Sequence, residues 1–189
     1  MNEPDDALEA GLRLANELET RGVPYALGGA LAYGQYGIPR ATNDVDVNVF
    51  VDASGLGPVF DALRALGADV DEDGARRAAT NDGLFVVRYG LYRLDLFTPS
   101  IPFAWQARET RVRHRVDGRD VWFLSAEALC VFKLLFFRGK DVVDLERLIA
   151  VQGGAVDGAY VRKQIVEMLG EDDPRVATWD RLLAEHTPE

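Results

Sequence analysis

The sequence predicts an α/β (α+β) protein with a mixed sheet over roughly residues 20–124, followed by a helical part. Three observations carry that reading. Residues 43–51 (NDVDVNVFV) alternate apolar and polar side chains, the pattern of a strand with one buried face. Asp117-Gly118, between two runs of strand-forming residues, is a strong two-residue hairpin signal. From Ser125 onward the pattern changes to helix. The expected domain division is therefore 1–124 and 125–189, the second a helical lobe packed on the first.

Taken in order, residues 6–20 place Leu8, Leu12, Leu14, Ala15 and Leu18 near one helical face, and Arg21-Gly22-Val23-Pro24 stops that helix. Residues 25–27 read as a short strand entering Gly28-Gly29, and residues 30–36 as a helix ending near Gly37. Val45, Val47, Val49 and Val51 form one face of the 43–51 strand; Asp44, Asp46, Asn48 and Phe50 form the other. A helix is expected over 56–66, then short strands near 67–70, 84–90 and 91–97, with Gly90 at a turn. Strands over 111–116 and 121–124 flank the Asp117-Gly118 turn. Helices are expected near 125–137, 140–151, 158–169 and 174–185. Asp173-Pro174 supplies an N-cap and a first-turn proline for the last of them.

Composition narrows the chemistry. The chain has 189 residues, 48% hydrophobic and 28% charged, enough for one self-sufficient core. One cysteine, Cys130, excludes an internal disulfide and a Cys-rich zinc site, and two histidines (His114, His186) are too few for a His-rich one. The formal net charge of −10 argues against a general nucleic-acid coat, leaving a local basic patch or magnesium to bind anions. The acidic start MNEPDDALEAG is not a secretory signal, and no apolar run approaches the ~20 residues that span a bilayer. A cytoplasmic protein without membrane attachment is expected.

Asp44 and Asp46, two apart on a strand, share a face. Their mutual repulsion is relieved by a cation, and hard oxygen ligands favour Mg2+ or Mn2+. Taken alone, the pair reads equally as a solvated strand face. Ahead of it, Gly28-Gly29 lies between a strand and a helix, where the backbone can approach a ligand and free N–H groups can meet phosphate oxygens. Asp95 would be a third carboxylate if its strand neighbours that of Asp44. Lys133 sits in an apolar helical stripe with Leu129, Cys130, Phe136 and Phe137, so its ammonium either snorkels to the surface or meets an anion. Arg138 and Lys140 close by favour the anion. Asp141 and Asp144 fall where a helix is capped and its dipole favours acid. Arg108, Arg111, Arg113, Arg115 and Arg119, with Trp105 and Trp122 nearby, are either exposed hairpin arginines or a nucleic-acid surface. Arg111, Arg113 and Arg115 would form a stripe on one strand face.

The stretch Leu27-Gly28-Gly29-Ala30 through Gly37-Ile38-Pro39-Arg40-Ala41-Thr42-Asn43-Asp44-Val45-Asp46-Val47 resembles the nucleotidyltransferase superfamily with the polymerase-β-like minimal fold. Within it the chain looks most like the AbiEii and MenT toxin-type enzymes. Residues 132–145 (FKLLFFRGKDVVDL) are similar to the later Lys and Asp motifs of that group, so the resemblance spans about residues 24–149. It implies transfer of a nucleoside monophosphate from a nucleoside triphosphate to an acceptor. Gly28 and Gly29 would hold the triphosphate, Asp44, Asp46 and Asp95 the metal, and Lys133 the triphosphate. Asp141 or Asp144 would be the residue of the last motif. Arg40, Thr42, Arg138 and Lys140 are the remaining nucleotide-binding candidates. The chain departs from the pattern: Gly29 stands where a small serine often follows the first glycine, not all toxin-type members use a third carboxylate such as Asp95, and the chain is short for a toxin of this group. The expected partners are a nucleoside triphosphate and transfer RNA, with an antitoxin protein as cognate partner. The alternatives are a small-molecule, antibiotic-type nucleotidyltransferase and a catalytically silent nucleotide-binding protein on the same fold.

Overall fold

A computed structural model of the chain describes residues 3–186. In it the alternating segment forms strand β2 (Asp44–Val49), following helix α1 (Ala7–Thr20), strand β1 (Tyr25–Leu27) and helix α2 (Gly29–Tyr36). Then come α3 (Gly57–Ala65), α4 (Glu72–Asp82), β3 (Leu84–Tyr89), β4 (Tyr92–Phe97), α5 (Pro102–Thr110), β5 (Val112–Val116) and β6 (Arg119–Phe123). Helices α6 (Ala126–Phe136), α7 (Gly139–Gln152), α8 (Gly158–Leu169) and α9 (Pro174–His186) complete the chain. It divides into two compact units. One comprises the chain through Leu31 and Ala41–Leu124; the other comprises Ala32–Arg40 and the described residues from Ser125 on.

The first unit is built on a six-stranded mixed sheet in the order β3-β4-β2-β1-β6-β5. β1 pairs antiparallel with β2 and parallel with β6, and β2 pairs parallel with β4. The outer pairs β3–β4 and β5–β6 are antiparallel hairpins. Val45, Val47 and Val49 are fully buried, whereas Asp44 is exposed and Asp46 and Asn48 are partly so. The buried face meets α1, whose apolar side presents Leu12, Leu14, Ala15 and Leu18. Asp6 caps α1 by accepting from the Glu9 N–H at 2.7 Å. The β5–β6 turn is the expected one: Asp117 and Gly118 both have positive φ (48° and 77°), as a turn matched to strand twist requires.

Two elements differ from the sequence expectation. Residues 67–70 form no strand but lead into α4. That helix is started by Asp71, which accepts from the Gly74 N–H at 3.0 Å, and stopped by Gly83 at φ 68°. Only Ala75 and Ala79 of α4 are buried, so it lacks the large apolar stripe that betrays a helix in a sequence. Helix α5 opens on Pro102, the position where a missing N–H costs nothing.

In the second unit α6 packs against α7 and α8, and α9 against α7 and α8. Ser125 caps α6 by accepting from the Ala128 N–H at 3.1 Å, and Asp157 caps α8 by accepting from Tyr160 at 2.9 Å. Trp179 is fully buried, its indole N–H donating to the Gly158 carbonyl at 3.0 Å. Among the described residues no helix is long and apolar enough to cross a membrane.

Candidate functional site

The Gly28-Gly29 turn is folded onto β2. The Gly28 N–H donates to the Asp46 carbonyl at 2.8 Å. A Cβ on Gly28 would lie 2.9 Å from the Asn48 side-chain nitrogen and 3.3 Å from Leu124. Gly29 has φ +49°, and a Cβ there would land on the Asp46 carboxylate. Glycine at 29 is thus dictated by backbone conformation and by the side chain it faces. Helix α2 starts at Gly29, so its N-terminal end and Asp46 adjoin. Thr42 fixes the start of β2: its hydroxyl accepts from the Asp44 N–H at 3.1 Å and donates to the Asp44 carbonyl at 3.0 Å.

The parallel pairing of β2 with β4 sets Asp46 beside Asp95 and Asp44 beside Arg93. Directly paired residues share a sheet face, so Asp44, Asp46 and Asp95 stand on one side of the sheet. Asp95 is 9% exposed. Arg93 Nε lies 2.7 Å from its Oδ1, a charge-assisted contact with a buried carboxylate. Burial raises the Asp95 carboxyl above its ordinary value, Arg93 pulls it back, and Asp44 adds to the rise. The donor set suits a hard divalent cation: all oxygen, on one face of adjoining strands. No three His, Cys, Asp or Glu groups among the described residues are already drawn together as a metal cage. Magnesium characteristically takes one or two carboxylates and completes its shell with water and substrate phosphates.

Arg40, Lys133, Arg138, Lys140, Asp141 and Asp144 lie in the second unit. Lys133 is 5% exposed and does not snorkel. Its ammonium donates to Asp144 Oδ2 at 2.6 Å, lies 3.6 Å from Asp141 Oδ1, and sits 5.5 Å from the centre of the Tyr33 ring. Arg40 reaches the same Asp144 oxygen at 3.3 Å. Arg138 donates to Asp141 at 2.6 Å through Nε, and its backbone N–H donates to that carboxylate at 3.2 Å. The residue that caps α7 is therefore Arg138, with Asp141 at the third helical position bonding back to it. Burial alone would raise Asp141; Arg138, then Lys133, hold it below the ordinary carboxylate range. Lys140 is exposed in the first turn of α7.

The β5–β6 register sets Arg113 and Arg115 on one face, both exposed and both salt-bridged. Arg113 pairs with Glu19 at 3.2 Å and Arg115 with Asp120 at 3.5 Å. Arg111 and Arg113 lie over the Trp122 ring, 4.4 and 4.8 Å from its centre. The sequence reading passed over Asn48 and Arg93. Asn48 was two positions past Asp46 on the same strand face, a signal that alternation alone provides. Arg93 becomes a partner only through the β2–β4 register, which no local pattern announces.

No protein-family model matches the chain, and no curated protein matches it in sequence. Solved structures do. The antibiotic-resistance factor ANT(2'')-Ia is 15% identical, covers 92% of this chain and 87% of its own, and superposes with a TM-score of 0.58. The same factor in complex with adenylyl-2''-tobramycin gives 16% identity, 90% and 95% coverage, and a TM-score of 0.56. The lincosamide antibiotic adenylyltransferase LnuA, lincomycin-bound, gives 18% identity, 80% and 99% coverage, and 0.52. What is shared at these identities is the fold. The chain has the polymerase-β-like nucleotidyltransferase fold expected of the Gly-Gly and Asp-x-Asp motifs.

Proposed function

We propose that the chain is a divalent-metal-dependent nucleotidyltransferase that moves a nucleoside monophosphate from a nucleoside triphosphate to an acceptor. The bond from the α-phosphorus to the bridging oxygen breaks, pyrophosphate leaves, and an acceptor oxygen or nitrogen takes its place and loses its proton. The observation that carries this reading is the Gly28-Gly29 turn packed on Asp46, with Asp95 beside Asp46 in register. In this reading the Gly28-Gly29 backbone and the first N–H groups of α2 hold the triphosphate. Asp44, Asp46 and Asp95 would hold magnesium, which when bound neutralises charge on the leaving pyrophosphate. Asp95, buried and in register beside Asp46, takes the acceptor proton on its carboxylate. Thr42 keeps Asp44 at the strand end where both carboxylates face one side. Catalysis here rests on positioning and charge, as nucleotidyl transfer requires.

The names of the relatives put antibiotics among the acceptors; the sequence resemblance to toxin-type enzymes puts transfer RNA there. One incubation separates them: α-labelled triphosphates with magnesium, offered tobramycin, lincomycin or total transfer RNA. Label on one acceptor class, lost in Asp46→Ala, is the expected result and names the class. Label on none, with magnesium-dependent triphosphate binding retained, would leave the catalytically silent alternative.

A further inference from the structure

The carboxylate face of the sheet carries a second cluster. Leu27 pairs with both Val47 and Phe123, so these three share the opposite, buried face. Trp122, next to Phe123, therefore stands on the side of Asp46, and its pairing partner Arg113 stands with it. Arg111, two residues before Arg113 in extended backbone (ψ 150°), reaches the same ring. β6 lies two strands from β2, about 10 Å across the sheet.

Arg111 is the unusual member. Arg113 has Glu19 and Arg115 has Asp120 as salt-bridge partners, and Arg108 has Glu109 at 3.7 Å. Arg111 has no carboxylate within ion-pair distance among the described residues. Its guanidinium donates to the Arg108 carbonyl and lies between Trp122 and Phe50, 6.0 Å from the latter ring. The Nε groups of Arg108 and Arg111 are buried and have no hydrogen-bond partner among the described residues. Burial, with Arg108 and then Arg113 as like-charged neighbours, weakens the hold of Arg111 on its proton; Glu109 offsets part of this. Arg111, stacked on Trp122 beside the salt-bridged Arg113, is thus a cation on this face with no carboxylate partner among the described residues, and it can take an anion.

We propose that Arg111 and Arg113, held on Trp122, form a subsite for a phosphate group of the acceptor, so that the acceptor is phosphate-bearing rather than polycationic. A phosphate has enough acceptor oxygens for both guanidiniums at once, and arginine is the side chain whose fork matches it. Assigning the phosphate to the acceptor rests on the nucleotidyl-transfer reading; the binding itself does not. The phosphate could belong to a free nucleotide or to an RNA strand, and the test separates these.

Binding is measured by tryptophan fluorescence in EDTA, where triphosphate binding through magnesium is silent. The probes are AMP, a short single-stranded RNA, adenosine and tobramycin. Wild type and Asp44→Ala/Asp46→Ala are expected to bind the phosphate-bearing probe alike, and adenosine and tobramycin not to bind. Arg111→Ala is expected to weaken binding about tenfold or more, with a shallower salt dependence. Arg113→Gln, at a more exposed position, and Arg111→Lys, which keeps the charge, guard against misfolding and are expected to fall between. AMP binding as well as RNA binding identifies a small acceptor; RNA binding alone identifies a strand. Unchanged affinity in the folded arginine variants, or binding of tobramycin in place of phosphate, overturns the proposal. Transfer activity that survives while phosphate binding ignores both arginines sinks this subsite alone. Phosphate binding with no transfer to any acceptor sinks the catalytic reading alone.

Discussion

At Gly29 any side chain would be strained twice, by a φ of +49° and by collision with the Asp46 carboxylate. Gly29→Ala is expected to cost about 1–3 kcal/mol in a urea unfolding curve and to depress turnover more than substrate binding, because it displaces Asp46. Unchanged stability would mean the turn is not packed as described. Asp95 gives a pH test. A carboxyl whose folded pKa is raised binds its proton more tightly folded than unfolded. The stability it contributes is therefore present at low pH and lost as pH rises through the folded pKa. Without magnesium, Asp95→Asn should match wild type at pH values low enough to protonate the carboxyl in both folded and unfolded chains, and should melt above it at neutral pH. An asparagine variant less stable than wild type at neutral pH would show that the Arg93 ion pair outweighs burial.

At the scale of elements, Lys133 ties α6 to α7 through Asp144 and Asp141. Lys133→Ala leaves buried carboxylates short of a cation and is expected to destabilise by about 3 kcal/mol. That is the low end for a broken buried pair, because Arg40 still faces Asp144. Lys133→Met/Asp144→Leu should recover much of the loss; equal damage in both variants would refute the pairing. Most elements were legible in the sequence where local pattern decides them: valine alternation in β2, Asp117-Gly118 in the hairpin, Ser125 and Asp173-Pro174 at helix starts. Helices α4 and α5 were not, because α4 buries only two alanines and α5 hides its proline start in a loop-like context. The candidate carboxylates were legible as types and spacing. Their convergence was not, since it depends on the long-range parallel register of β2 and β4. Likewise the sequence marked Lys133 as meeting an anion, but the anion nearest it is an aspartate of the next helix.

On the whole-molecule scale, the proposed reaction requires a chain of net charge −10 to bind anions locally, through its acidic face with a divalent cation or through a confined arginine cluster. Removing magnesium should therefore abolish transfer while leaving the circular dichroism spectrum unchanged, because the buried core is apolar side chains rather than the carboxylate face. The most direct test of the central claim is transfer of label from an α-labelled triphosphate in the presence of magnesium, comparing wild type with Asp46→Ala. Asp46 is partly exposed, so the variant should fold as wild type does. The prediction is magnesium-dependent label on an acceptor with wild type and none with Asp46→Ala. Equal labelling by the two folded proteins would contradict the assignment of these carboxylates to the reaction.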